Sequence, residues 1–205
     1  MSDDRSRPRL ADEREIPPVY RAAEDSRLLA DTVIGYLDGD ELVLDLGTGT
    51  GYVGRRIASE TGASVIGSDI NPHACRAAAG DGLAVIRGDL LGPIQTEAID
   101  IVVFNPPYLP TSPDIEWDDW QERALSGGET GRAIIEPFLE DCRRVVRRDG
   151  AAFLLVSSLT GIEAVRDHAR ANGLTTAIAA EEAHPGERLV VIHLVPSRGN
   201  NHDAS

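Results

Sequence analysis

Short apolar runs alternate with segments of helical periodicity through most of this 205-residue chain. The apolar runs are typical of buried strands, and they lie at 42–46, 64–68, 83–87, 99–104 and 151–157. A helix is predicted over 22–37, and helical stretches at roughly 51–60, 72–79, 130–148 and 159–172 separate most of the strands. Because strand–helix–strand units form right-handed parallel crossovers, the alternation predicts an α/β fold with a doubly wound, mostly parallel sheet.

The last two strand-like runs, 175–182 and 188–195, are joined by the short segment 183–187. This linker is too short for a helix, so the two strands are predicted to form an antiparallel hairpin that completes seven strands. We expect one domain over 17–195. The polar, charged ends 1–16 and 196–205 have no apolar periodicity and are expected to be disordered tails.

Composition excludes several classes of protein. All 20 basic residues are Arg, against 34 acidic residues, which gives a net charge of −14. Such a charge repels nucleic acid, although it also resembles that of proteins from salt-accumulating organisms, where screening weakens the repulsion. Cys75 and Cys142 are far apart, so neither a metal site nor a disulfide is expected. No apolar run spans a membrane and no signal peptide begins the chain, so we expect a cytoplasmic protein.

A glycine-rich turn follows the first strand and opens a helix, an arrangement that lets backbone amides approach a ligand. The run 49–54 also fits the GxGxxG fingerprint of dinucleotide-binding proteins, with Asp69 placed to hold a ribose. A nicotinamide dehydrogenase is therefore a competing interpretation. Asp45 favours S-adenosylmethionine instead, because its carboxylate suits the methionine amino group and would repel a pyrophosphate.

A second acid, Asp89, ends the third strand, where its carboxylate could accept a hydrogen bond from an adenine amino group; it could also be a turn cap. Together these acids favour the sulfonium cofactor. The predicted cofactor-binding residues are Ser26, Asp45, Gly47, Thr48, Gly49, Gly51, Asp69, Ile70, Asp89, Leu90 and Asn105.

Asn105, Pro106, Pro107 and Tyr108 follow the central strand, at the end where open α/β sheets bind ligands. An amide nitrogen is a poor nucleophile because its lone pair is delocalised. The side-chain oxygen of Asn105 and the carbonyl of Pro106 could accept its two N–H groups, and the prolines would hold both acceptors rigidly. Tyr108 could pack on a planar substrate. These four residues are the predicted catalytic residues, for methyl transfer to a planar nitrogen.

These motifs together resemble the HemK-type protein-glutamine N5-methyltransferases, which have the class I methyltransferase fold. Two further stretches carry the resemblance: 19–29, with Glu24, Asp25 and Ser26, is similar to the family's Y-x-P-x-E-D-[ST]-x-L-L segment, and 124–132 is similar to its GG-x-x-G-R segment. Ala22 stands where a proline is usual. Since no extra N-terminal helical domain is expected, the shorter archaeal and eukaryotic branch fits best.

The resemblance implies methylation of the GGQ glutamine of a peptide-chain release factor, with Ser26 contacting the cofactor. It also implies a small zinc-binding activator subunit, for which the apolar edge strand 83–87 is the expected docking site. Methylation of adenine N6, guanine N2 or a protein lysine stays open, as does a cofactor-binding module without catalysis. Trp117 and Trp120, in the loop after the catalytic motif, could be a substrate rim or a loop anchor.

Overall fold

A single seven-stranded sheet organises the chain in a computed structural model, which describes residues 22–111 and 126–197. The strand order is β3-β2-β1-β4-β5-β7-β6. The strands are β1 Leu42–Leu46, β2 Ser64–Asp69, β3 Ala84–Arg87, β4 Ile99–Phe104, β5 Val146–Ser157, β6 Leu174–His184 and β7 Glu187–Pro196. Strands β1 to β5 pair in parallel, whereas β7 is antiparallel to both β5 and β6. The predicted class I methyltransferase architecture is confirmed.

Helices cover both faces of this sheet. They are α1 Ala22–Ile34, α2 Tyr52–Thr61, α3 Pro72–Gly80, α4 Ile135–Val145 and α5 Ile162–Ala171, with a 3-10 turn at Ser158–Thr160. Buried side chains of α1 and α2 pack on one face, and those of α4 and α5 pack on the other. The core is therefore divided into two layers by the sheet, as a doubly wound fold requires.

Five of the six residues of the central strand β4 are apolar, and their packing shows why. Ile101 and Val103 pack in the layer below α1 and α2, whereas Val102 and Phe104 pack in the layer below α4 and α5. Successive side chains of a strand point to opposite faces, so a strand covered on both sides needs apolar residues at nearly every position. Because β4 is the central strand, its carboxyl end and the following Asn105 lie at the middle of the side of the sheet where the parallel strands end.

The largest error of the sequence prediction is the boundary between α4 and β5. The predicted helix 130–148 is shorter, Ile135–Val145, and β5 begins at Val146 instead of residue 151. The ladder to β4 shifts register between Ile99 and Ile101, so the start of β5 pairs irregularly. The arginine-rich stretch there carries no clear apolar periodicity, and tertiary pairing decides its structure.

Smaller corrections concern the C-terminal part. Gly161 has a φ of +76° and separates the 3-10 turn from α5, which divides the predicted helix 159–172. The hairpin turn is only Pro185-Gly186, because both strands extend into the predicted linker. Pro196, assigned to the tail, is the last residue of β7. Ser197, also assigned to the tail, donates its amide to the carbonyl of Gly173 at 2.9 Å. The other tail residues, 1–16 and 198–205, lie outside the described residues.

The strand order leaves β3 and β6 at the two edges of the sheet. The prediction that the third strand is an edge strand is confirmed. Of the helices in the described ranges, none has the length and apolar character needed to cross a membrane.

Candidate functional site

The carboxyl ends of β1, β2 and β4, together with the loop after β3, line a cavity of about 360 Å³. Eight of the predicted site residues contribute to its wall: Gly47, Gly49, Asp69, Ile70, Asp89, Leu90, Asn105 and Pro107. The place is the one expected for an open α/β sheet, where the strand order reverses between β1 and β4.

The glycine turn forms the floor of the cavity. Gly47 has a φ of +63°, and a Cβ at this position would lie 3.3 Å from the ring of Phe104. A side chain here would therefore be strained and crowded. The amide of Thr48 donates to the carbonyl of Ser68 at 3.0 Å, which fixes the turn to the end of β2.

Asp45 lies beneath this turn and not on the cavity wall. Its carboxylate is buried, and one oxygen, Oδ2, accepts from Thr48 Oγ1 at 2.6 Å and from the amide of Gly54 at 2.9 Å. Burial raises the pKa of Asp45 to about 6, although the hydrogen bonds from Thr48 and Gly54 oppose the rise. Asp45 thus holds the glycine turn against the start of α2. Its contact with a methionine amino group stays a prediction.

Asp69 ends β2 and lies on the cavity wall. Its Oδ2 accepts from the amide of Gly49 at 3.0 Å and its Oδ1 from the amide of Asn71 at 2.8 Å. These two bonds orient the carboxylate between the glycine turn and the start of α3. The lone pairs that stay available can accept ribose hydroxyls.

Asp89 and Leu90 form the wall contributed by the loop after β3. Leu90 has a φ of +43°, an uncommon conformation for a side-chain-bearing residue that is held here by its surroundings. The neighbouring loop is fixed by Arg144 of α4, which donates to the carbonyls of Leu91 and Ile94 at 2.9 and 2.6 Å. The Asp89 carboxylate is exposed and caps no amide in the described part of the chain, which favours a ligand contact over a turn cap.

Asn105 follows β4, and the nitrogen and the oxygen of its side-chain amide have different surroundings. Its Nδ2 donates to Ser26 Oγ at 3.2 Å, across 79 residues of sequence. Its Oδ1 is buried and has no hydrogen-bond partner among the described residues. A buried polar atom without a partner costs free energy unless a ligand satisfies it. This oxygen is therefore available to accept a hydrogen bond from a ligand.

The other residues of the catalytic motif are placed differently. Pro107 lines the cavity and Pro106 is buried beside it. Tyr108 is 5% exposed and does not line the cavity, and its hydroxyl donates to Asp25 Oδ2 at 3.2 Å. The structure thus gives Tyr108 a bond to α1, whereas packing on a planar substrate stays a prediction.

Sequence reasoning missed several residues of the cavity wall, and it predicted others that lie just behind the wall. The missed residues are Leu46, Asn71, Ala74, Gly88, Phe104 and Ile134. Most are direct neighbours of predicted residues and could have been found by extending each motif; Ile134 comes from a distant loop that no local signal indicates. Ser26, Asp45, Thr48, Gly51, Pro106 and Tyr108 are the predicted residues that do not line the cavity.

The loop that resembles GG-x-x-G-R packs against the catalytic motif. The amide of Gly127 donates to the carbonyl of Leu109 at 2.9 Å, and a Cβ on Gly131 would lie 2.6 Å from the carbonyl oxygen of Tyr108. The loop therefore closes tightly over residues 108–111. Trp117 and Trp120 lie outside the described residues.

The charge of the cavity wall distinguishes between cofactors. Asp69 and Asp89 are its ionisable residues in the described ranges, and no Arg or His contributes to it. A dinucleotide pyrophosphate would meet two carboxylates and no cation. A sulfonium ion with a ribose and an adenine suits this wall better, because carboxylates accept from hydroxyl and amino groups.

Comparison with known proteins agrees with this geometry. The family model "Methyltransferase small domain" matches residues 22–116. A protein of Methanocaldococcus jannaschii that is provisionally named protein N5-glutamine methyltransferase is 33% identical over 183 residues, covering 86% of this chain and 91% of the relative. Human methyltransferase HEMK2 is 30% identical over 193 residues, covering 87% and 90%.

A solved structure shows the same similarity. In the Mtq2–Trm112 complex of E. cuniculi, described as responsible for methylation of the eRF1 translation termination factor, the matched chain has a TM-score of 0.71 and 30% identity. The match covers 85% of this chain and 96% of that chain. Identity at this level over nearly whole chains establishes more than a shared fold: the chain belongs to the family of HemK-type protein-glutamine N5-methyltransferases, which are S-adenosylmethionine-dependent N-methyltransferases.

Proposed function

We propose that the enzyme methylates N5 of the GGQ glutamine of the peptide-chain release factor. The observation that carries the proposal is the buried Oδ1 of Asn105, which faces the cavity and lacks a partner among the described residues. A primary amide has two N–H groups to donate and needs acceptors beside the cofactor. The names of the relatives given above mention glutamine or eRF1, and they indicate which substrate to propose.

Different residues of the cavity wall would bind different parts of the cofactor. Asp69 would hold the ribose hydroxyls, Asp89 the adenine amino group, and the glycine turn at Gly47 and Gly49 the methionine part. S-adenosylmethionine supplies an electrophilic methyl group on sulfur. Asp45 lies behind the wall, so it would act on the methionine amino group indirectly, by fixing the glycine turn that contacts this part of the cofactor.

Asn105 and Pro106 would hold the glutamine amide in line with the methyl group. Hydrogen bonds from the amide N–H groups to the Oδ1 of Asn105 and to the carbonyl of Pro106 localise the nitrogen lone pair. The nitrogen so held would accept the methyl group of the cofactor, whose sulfur would leave as the neutral thioether, and the amide would lose its proton to solvent. Alignment of the reacting atoms can contribute an effective molarity of about 10⁵ M.

Labelled-methyl transfer from S-adenosylmethionine tests the substrate. The assay compares release factor, a release factor whose GGQ glutamine is replaced, total RNA and DNA, each at low and high salt. We expect label on release factor alone. Label on nucleic acid, which the net charge of −14 disfavours, or label that persists on the glutamine variant would contradict the proposal.

Asn105→Ala tests the residue that carries the proposal. Removing one preorganised hydrogen-bonding group at a reacting centre lowers kcat by about 10²-fold or more. Cofactor affinity, measured by calorimetry, should change little because the cofactor contacts of Asp69 and Asp89 stay in place. Asn172→Ala, in an amide side chain after α5, is the matched control and should keep full activity. An active Asn105 variant would show that the site works differently.

The activator subunit would dock on the edge of the sheet at β3. The related E. cuniculi protein forms a complex with Trm112, and β3 has a partner strand, β2, on one side only. The amide of Gly88 points to β2, where it donates to the carbonyl of Asp69. Since amides alternate along a strand, those of Val85 and Arg87 point away from β2 and can pair with another chain.

Val85→Pro tests this edge directly. The substitution removes an outward-pointing N–H and should leave the ladder to β2 intact. We expect loss of co-purification with the activator, whereas Val85→Thr, which keeps the amide, should retain it. Equal binding by both variants, with both folded by circular dichroism, would place the activator elsewhere.

A further inference from the structure

Asp25 of α1 is a buried carboxyl group next to the cavity to which the proposed function assigns no role. It is 3% exposed. Its Oδ1 accepts from the amide of Ser26 at 2.6 Å, and its Oδ2 accepts from the hydroxyl of Tyr108 at 3.2 Å. The second bond joins α1 to the catalytic motif across 83 residues of sequence.

This group is costly to bury. No Arg or His of the described residues forms an ion pair with Asp25, so within that part of the chain hydrogen bonds balance its charge. Burial raises the pKa of Asp25 above its usual range, while hydrogen bonds from Ser26, Asn105 and Tyr108 oppose the rise. A neutral side chain of the same shape would be easier to accommodate, so a carboxyl group at this place calls for a role in the site.

The amide of Asn105 shows what that role is. Its Nδ2 faces Ser26 Oγ and the Asp25 carboxyl, both of which can accept a hydrogen bond. A carboxylate can only accept, so it holds the N–H groups of Asn105 on its side. The oxygen of the same amide is then forced towards the cavity, where Oδ1 is buried and unpartnered within the described ranges. The reversed amide would present donors to a substrate nitrogen that itself donates.

We infer that Asp25 is a positioning residue, which fixes the orientation of the Asn105 amide so that Oδ1, and never Nδ2, meets the substrate amide. It does so through Ser26, which binds both the Asp25 carboxyl and Asn105 Nδ2, and as a neighbouring acceptor that favours the N–H side of the amide. The hydroxyl of Tyr108 holds the carboxylate in place. This inference rests on the proposed function of Asn105 as an acceptor. It also explains why Tyr108 bonds to α1 and does not line the cavity.

Asp25→Asn is the first test, because it keeps the shape of the side chain and removes its acceptor-only character. We expect kcat for the release-factor substrate to fall by about 10²-fold, since a misoriented Asn105 loses its contact with the reacting nitrogen. The Kd for S-adenosylmethionine should stay close to that of the wild type, and the melting temperature should not fall. Asp31→Asn, an exposed carboxylate of the same helix, is the matched control and should keep full activity.

A double-mutant cycle with Asn105→Asp gives a result that a merely structural role would not. Alone, this variant sets a second carboxylate against Asp25 and should be poorly active. Combined with Asp25→Asn, the new amide can donate to the new carboxylate, which still presents an oxygen to the substrate. We expect the double variant to exceed the activity of Asp25→Asn by about tenfold, a coupling of ordinary size for two residues in contact.

The outcomes separate this inference from the proposed function. A wild-type enzyme that does not methylate the release-factor glutamine would overturn the proposed function. With an active wild type, full activity of Asp25→Asn would overturn the positioning role. An inactive Asp25→Asn that has also lost cofactor binding or melts far below the wild type, or a double variant no more active than Asp25→Asn, would likewise overturn it.

Discussion

Replacing Asp45 by Asn should make the protein more stable near neutral pH. The carboxylate of Asp45 is 4% exposed, and its Oδ2 accepts both hydrogen bonds, from Thr48 and Gly54. An Asn side chain with its oxygen in the Oδ2 position keeps both bonds and removes the buried charge. The perturbation therefore isolates the cost of ionising this group inside the fold.

The magnitude follows from the pKa. Burial raises the pKa of Asp45 from its ordinary 3.8 to about 6, so the folded protein binds a proton more tightly than the unfolded chain does. Stability from this group is fully present below pH 4 and is lost as the pH rises to about 6. At roughly 1.4 kcal/mol per pH unit, the ionised carboxylate costs the fold about 3 kcal/mol above pH 6. Weaker neutral hydrogen bonds should reduce the net gain of Asp45→Asn to about 1–2 kcal/mol.

Urea unfolding at several pH values between 4 and 8, in constant salt and without cofactor, measures this effect. The free energy of unfolding of Asp45→Asn should exceed that of the wild type at pH 8, and the difference should shrink towards pH 4. If Asp45 also serves the methionine amino group, cofactor affinity should fall in the same variant. A variant that is less stable at pH 8, or a difference that does not change with pH, would refute the assignment of Asp45 as a strained buried carboxylate.

Other substitutions test the walls of the site. Arg144→Gln should lower stability by about 2 kcal/mol and weaken cofactor binding, because the carbonyl of Ile94 loses its donor and that of Leu91 keeps only the amide of Ile94. Arg143→Gln, on the exposed side of α4, should do neither. Asp141→Asn should lower stability at neutral pH, because Arg144 holds the pKa of Asp141 below its usual range. The stability from this pair is therefore present above pH 4 and is lost as the pH falls. The free energy of unfolding, measured over an acid pH series, will show this loss in the wild type and not in the variant. Gly131→Ala should reduce activity by tenfold or more, as measured by methyl transfer, since its φ is +74° and the added methyl group would collide with the carbonyl of Tyr108. An active Gly131→Ala enzyme would mean that the loop is free to move away from the catalytic motif.

The sequence alone determined the architecture and the position of the site. Strands β1 and β4 have their predicted bounds, because short, mostly apolar runs between turn-forming residues are typical of buried strands in such an alternation. The glycine turn, Asp69 and Asn105 each follow such a strand, and parallel strands bring their carboxyl ends to one edge. Their meeting at one cavity was therefore predictable without coordinates.

Only the tertiary structure decided which partner each residue of the site contacts. Asp45 lies behind the glycine turn, and Tyr108 is directed to α1 and not to the cavity, because each follows the hydrogen bonds available at its depth in the fold. Asn105 donates to Ser26 and Tyr108 donates to Asp25, and both acceptors lie about 80 residues away in sequence. A local pattern names the residues that can accept or donate. Which partner each one meets depends on packing between elements that are distant in sequence, and that information is present only in the folded chain.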